Sequence, residues 1–94
     1  MIILQIEHKV QNFDGWKKVF ESDPINRKKS GVRSYSILRP VDDQNYVIIN
    51  LEFDDLKEAE NTLTALRSLW GQLEGTVIMD PQTRLLNLVE TKEI

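Results

Sequence analysis

The hydrophobic period switches between two and 3.6 along this chain, and the order of the switches constrains the fold more than any other property. Ile2, Leu4, Ile6, His8 and Val10 alternate with Ile3, Gln5, Glu7 and Lys9, which predicts a strand whose even side is buried. Asn12 is placed to cap a helix with Phe13, Trp16, Val19 and Phe20 on one face and Lys17, Lys18 and Glu21 toward water. Pro24 interrupts or restarts that helix, a further turn runs from Ile25 to Lys29, and Gly31 supplies a left-handed end. A second strand is predicted from Val32 to Arg39, a turn cluster from Pro40 to Asn45, and a third strand from Tyr46 to Phe53. Asp55 and Glu58 form a capping box for a longer helix, whose buried stripe is Leu56, Ala59, Leu63, Leu66, Trp70 and Leu73. Gly71 and Gly75 loosen or end it. The last extended region falls in two pieces, Thr76–Met79 and Arg84–Thr91, divided by Asp80-Pro81, and a proline there suits an edge strand.

The resulting order, β-α-β-β-α-β, is the split βαβ or ferredoxin-like plan: an α+β domain over residues 1–94, with a four-stranded antiparallel sheet and two helices on one face. Strands one and three are the most apolar and take the centre. Pairing Arg39 with Tyr46 in the hairpin also sets Ile37 beside Ile48, Tyr35 beside Asn50 and Arg33 beside Glu52. The same register turns Val32, Ser34, Ser36 and Leu38 toward the helices, beside Phe53, Leu51, Ile49 and Val47. The other face then carries Ile3, Tyr35, Ile37, Tyr46 and Ile48 among polar neighbours, a patch suited to an interaction surface. A chain of 94 residues buries only roughly 60–65% of its unfolded surface. A second copy packed on the open face would complete it, as a homodimer.

Composition narrows the chemistry. There is no cysteine and His8 is the only histidine, so thiolate nucleophiles, thiolate ligands and multi-histidine metal sites within one chain are excluded. The carboxylate pairs Asp42-Asp43 and Asp54-Asp55 read as a hairpin turn and a helix cap, without the spacing of a calcium loop, and no metal site is expected. A net charge of −3 and an isoelectric point near 5.1 argue against a sequence-blind grip on nucleic acid. No apolar run approaches the ~20 residues of a membrane span, and the start, Met1-Ile-Ile-Leu, reads as a strand rather than a signal peptide. Together with the lack of cysteine, these features predict a cytoplasmic protein. No glycine-rich phosphate loop, nucleophile elbow or triad spacing is present.

The whole layout, with Ile6-Glu-His-Lys-Val10 followed by Asn12-Phe-Asp-Gly-Trp16, Arg27 followed by Ser30-Gly-Val-Arg33, and Leu51-Glu-Phe-Asp-Asp55 entering the second helix, resembles the dimeric α/β-barrel superfamily. Within it the chain is similar to the antibiotic biosynthesis monooxygenase-like proteins. The resemblance implies two ferredoxin-like sheets facing each other as a barrel, with a small-molecule pocket in each subunit between sheet and helices. It further implies activities that need no cofactor, such as oxygenation of quinols and polycyclic aromatics, polyketide cyclisation or isomerisation. Haem degradation, also found in that superfamily, is not expected, because the second helix has Leu63 where a tryptophan belongs and no histidine. For the tryptophan and arginine that the oxygenases set around their substrate, the resemblance offers Trp70 and Arg84 in approximately such roles.

With that pocket in view, six residues become candidates. His8 ends the buried face of the first strand, and small Ser34 and Ser36 beneath the helices would leave room beside it for a ligand. An imidazole there can serve as a general base, or be a buried histidine satisfied by a backbone carbonyl or by Asp14. Arg27 can turn inward to stabilise a carboxylate or enolate, or join Lys28 and Lys29 as a solvated basic end. Trp16 and Trp70 can line a small apolar or aromatic molecule, or simply fill the core. Two functions stay open: a cofactor-independent monooxygenase- or cyclase-like enzyme, and a non-catalytic binding or assembly module.

Overall fold

The structure, a computed structural model, describes residues 1–73 and 78–94, and the expectations resting on the Leu73 side chain, Gly75 and residues 76–77 lie outside that description. Its elements are β1 (Ile2–Val10), α1 (Phe13–Glu21), the single turn α2 (Arg27–Ser30), β2 (Ser34–Leu38), β3 (Tyr46–Phe53), α3 (Leu56–Leu73) and β4 (Ile78–Asn87). Local chemistry sets their ends. Asn12 is extended and its Oδ1 accepts from Gly15 N at 2.8 Å, satisfying a free amide of the first turn of α1. Gly31 ends α2 at φ 100°, a left-handed backbone that favours glycine, and the flexible Glu58 carboxylate fills the place where a β-carbon would project. Asp55 starts α3 by accepting from Lys57 N at 2.7 Å, while Glu58 leans on Gly31. The helix runs through Gly71, around which space is open, instead of ending there.

The sheet is antiparallel in the order β2-β3-β1-β4, the ferredoxin-like arrangement, with the two apolar strands central. Leu4 pairs with Leu51, Ile6 with Ile49 and His8 with Val47. These side chains, with Val10 and Phe53, are buried against Trp16, Ala59, Leu63, Leu66 and Trp70 from the helices. Each large apolar side chain removed from water here stabilises the fold by roughly 1.5–3 kcal/mol before chain entropy is counted.

The hairpin register is one residue away from expectation. Ser36 opposes Asn50, Ile37 opposes Ile49 and Leu38 opposes Ile48. A one-residue slip reverses every side chain of the strand. Tyr35 and Ile37 therefore face the helices, where Tyr35 meets Phe20 and Ile37 packs on the core. Ser34 and Ser36 face the open side, where their hydroxyls need no buried partner and the Ser34 hydroxyl donates to Glu52. The observed register thus sets Ile37 against the core and a half-exposed Tyr35 ring at the margin of the helix layer, in place of two serines. Arg33 pairs with Asp54 at 2.8 Å rather than with Glu52.

On the far side β4 is one strand, not two, and it is an edge strand as its proline suggests. Its pairing with β1 shifts register between Glu7 and Lys9, leaving Asp80 (φ 51°) and Pro81 opposite His8 as a bulge. The open face carries Ile3, Ile48, Leu38 and Leu86 among Gln5, Asn50, Glu7, Glu52, Arg84 and the two serines. It is amphiphilic, as expected, but Leu38 and Leu86 take the places assigned to Tyr35 and Ile37. Gln5 Nε2 donates to Asn50 Oδ1 at 3.2 Å and Tyr46 Oη to Glu7 Oε1 at 2.8 Å across it. No helix among the described residues is long and apolar enough to cross a membrane.

Candidate functional site

His8 is the polar exception on the buried face of β1, and it is only 2% exposed. Its Nδ1 lies 3.0 Å from the Lys9 carbonyl oxygen. A carbonyl only accepts, so Nδ1 carries the proton and the neutral ring keeps a lone pair on Nε2. Burial pushes the imidazole pKa below its usual value, opposed in part by that backbone hydrogen bond. The neutral form is therefore the resting state at pH 7. Of the two partners considered for this ring, the backbone carbonyl rather than Asp14 holds it.

Helical spacing on α1 lines up the aromatic wall beside His8. Trp16 presents to the imidazole at 6.0 Å between ring centres and 64° between planes. Phe13 lies 5.7 Å from Trp16, Phe20 stacks on Trp16 at 5.3 Å and 27°, and Tyr35 meets Phe20 edge-on at 5.0 Å. The Arg27 guanidinium caps this row, 4.1 Å from the centre of the Phe20 ring and 5.1 Å from that of Tyr35. Its Nη1 donates to the Phe20 carbonyl at 2.7 Å and lies 3.5 Å from Asp23 Oδ1, which also accepts from the Arg27 amide at 2.8 Å. The arginine is thus fixed between α1 and α2 with only 17% of its side chain exposed, not part of a solvated basic end.

Between this wall, the sheet and α3 lies a cleft of about 580 Å3 including its open mouth, around an inner cavity of about 70 Å3. Ile6, His8, Trp16, Phe20, Arg27 and Trp70 all line it, together with aliphatic side chains from β3, α3 and β4. His8 and Arg27 are its only ionisable lining residues among those described. A mostly apolar concavity with a few converging polar groups is the usual form of a small-molecule site. No group of three or more carboxylate and imidazole side chains able to hold a metal occurs among the described residues.

Four of the six candidates thus meet around one cleft: His8, Trp16, Arg27 and Trp70. Ser34 and Ser36 do not, because the hairpin register turns them to the opposite face of the sheet; the room beside His8 is made instead by the gap between α1 and α3. Arg84 pairs with Gln5 and also faces the open side, away from the cleft. Sequence reasoning missed the pairing of Arg27 with Phe20 and Tyr35. The signal was available in Phe20 and Arg27, seven positions apart at the end of one helix and the start of the next, but only the correct β2 register brings Tyr35 to them.

No family model matches the sequence, and no curated protein does. Solved structures do. A dimeric ferredoxin-like protein from an uncultured marine organism is 16% identical over 97% of each chain, with a TM-score of 0.66. SnoaB, a cofactor-independent oxygenase from Streptomyces nogalater, is 16% identical over 96% of this chain and 94% of its own, with a TM-score of 0.71. A Nitrosomonas europaea protein provisionally named an antibiotic biosynthesis monooxygenase is 13% identical over 97% and 93%, with a TM-score of 0.70. The chain shares the ferredoxin-like fold of these proteins. At such identities the likeness establishes the fold, and the chemistry has to be argued from the cleft itself.

Proposed function

We propose that this protein is a cytoplasmic homodimer that binds a small, flat, largely apolar molecule in the cleft and acts on it without a cofactor, as a monooxygenase- or cyclase-like enzyme. The substrate class is an aromatic, quinol or polyketide-like compound. The observation that carries this reading is the neutral His8, whose Nε2 has no hydrogen-bond partner among the described residues, set among apolar and aromatic walls in the same cleft as a fixed guanidinium at the far end of the Trp16–Phe20 row. A hydroxyl or activated C–H of a bound ring would give its proton to Nε2, and Arg27 would stabilise the negative charge left on the ring. Trp16 and Trp70 would hold the ring plane by stacking and packing. The Streptomyces relative of the same fold, a cofactor-independent oxygenase, supports this class of chemistry. The lack of cysteine suits a reducing compartment.

Self-association is proposed through the open sheet face, where Ile3, Leu38, Ile48 and Leu86 would be covered by a second copy; light scattering at micromolar concentration should give the dimer mass, and a stable monomer would refute it. One observation favours a second reading, a non-catalytic binding module. The inner cavity is only about 70 Å3, room for a few waters, so a ring must widen it or occupy the mouth. Oxygen uptake measured with a panel of quinols decides between the two. Turnover that falls about 10²–10⁴-fold in His8→Ala, with the fold retained, is the enzyme's signature. Turnover unaffected by that change would remove His8 from the chemistry, and binding without turnover of any quinol would leave the module.

A further inference from the structure

Arg27 lines not one depression but two. It also borders an open surface hollow of about 910 Å3 including its mouth, walled by Asp23, Arg27, Lys28, Val32, Arg33, Ser34 and Tyr35. The wall between hollow and cleft is the Phe20–Arg27–Tyr35 stack, so the guanidinium stands where the two meet. The lining of the hollow is three cations to one carboxylate, in a chain whose net charge is −3. Two of the three cations are paired, Arg27 with Asp23 and Arg33 with Asp54, while Glu52 accepts from the Ser34 hydroxyl, so the positive charge left over in the hollow is that of Lys28. The Lys28 ammonium has no carboxylate partner among the described residues, and it projects from the same turn that fixes Arg27. An apolar cleft and a cationic hollow that share one arginine form a bipartite surface.

We infer that the ligand of the cleft is an anionic aromatic compound, whose ring lies against Trp16 and Phe20 and whose carboxylate or equivalent oxyanion passes Arg27 to meet Lys28 in the hollow. This rests on the cleft being a small-molecule site and adds the charge and reach of the molecule. Arg27 suits the junction because a guanidinium stacks on rings with its face and hydrogen-bonds an oxyanion with its edge. With Nη1 already turned to Phe20 and Asp23, its remaining N–H groups serve the ligand. Lys28 adds a mobile point charge that follows oxyanions of differing position. The same arrangement disfavours a ligand of positive charge.

The test uses the matched probes 2-naphthoate and 2-naphthol, an anion and a neutral molecule on the same ring at pH 7, followed by quenching of the fluorescence of Trp16 and Trp70. The wild-type protein should bind naphthoate at least about tenfold more tightly than naphthol, and added salt should erode that preference. Lys28→Glu, at an exposed position with no packing role, should weaken naphthoate about tenfold and leave naphthol unchanged, and Lys28→Gln should fall between. Equal binding of the two probes, or a naphthoate affinity indifferent to residue 28, would overturn the anionic assignment while leaving the cleft as a ring-binding site. Failure of both probes to bind or to quench would refute the cleft reading itself, and the inference with it.

Discussion

Strand β3 has two neighbours, and they obey different rules. Against β1 its register follows from burial, since Leu4, Ile6 and His8 meet Leu51, Ile49 and Val47 beneath the helices, and any slip would carry a full row of apolar side chains into water. Against β2 the stakes are lower. Tyr35 is 47% exposed, Leu38 is 46% exposed and both faces of the strand mix polar with apolar residues. The register there is chosen by a few contacts at the margin of the helix layer: Tyr35 on Phe20 and Arg27, and Arg39 over the Phe13 ring at 4.2 Å. Strong patterning specifies the centre of this sheet, and side-chain reach specifies its edge. The candidate cleft lies along the boundary, with His8 on a central strand and Arg27 held by the edge.

Truncation should expose the difference. Phe53→Ala removes a side chain with no exposure at the β1–β3 end of the core and should cost about 3–5 kcal/mol in urea unfolding. Tyr35→Ala removes a half-exposed ring and its contacts with Phe20 and Arg27, and should cost roughly 1 kcal/mol. Similar losses at the two positions would mean that the edge is specified as tightly as the centre.

The third effect is smaller and depends on pH. His8 has a lowered pKa in the folded protein, so between that value and the ordinary 6.5 the unfolded chain binds more protons. Its stabilising contribution is complete above about pH 6.5 and is lost as pH falls through the folded pKa. Urea unfolding of wild type and His8→Gln should therefore show a difference that narrows in acid; a difference that widened there would mean that the imidazole is held charged.

The last prediction needs no stability measurement and reads the register directly. In a chain without cysteine, Ser36→Cys with Asn50→Cys places two thiols opposite each other on the open face, within reach of a disulfide, whereas Tyr35→Cys with Asn50→Cys places them on opposite faces. The first pair should oxidise in the monomer and the second should not. The reverse result would restore the register in which Tyr35 opposes Asn50.

Most of the fold was legible because its strongest signals are also its most buried parts. Period two in residues 2–10 and the stripe Ala59, Leu63, Leu66, Trp70 place β1 and α3 without ambiguity, and both elements face the same core. The hairpin misleads because each cross-strand pair is sensible by its own chemistry, and Arg33 with Glu52 is as good a pair as Arg33 with Asp54. What decides is the row beneath the helices, where Tyr35 and Ile37 bury more apolar surface than Ser34 and Ser36. The same error carried into the site. His8, Trp16, Arg27 and Trp70 were readable from the stripes they occupy or the turn they follow, but the two serines depended wholly on register. The bulge at Asp80-Pro81, opposite His8, shows in the sequence only as a proline between two extended pieces.

The central claim is that a ring binds beside a neutral His8 whose Nε2 is free to accept. Because the chain has a single histidine, long-range proton–nitrogen correlation on the 15N-labelled protein reports that ring without assignment. The account expects the Nδ1–H tautomer at pH 7, and a saturable shift of the Nε2 signal as 2-naphthol or 2-naphthoate is added. An Nε2–H tautomer, or an imidazole whose signals stay fixed while either probe binds to saturation, would contradict it.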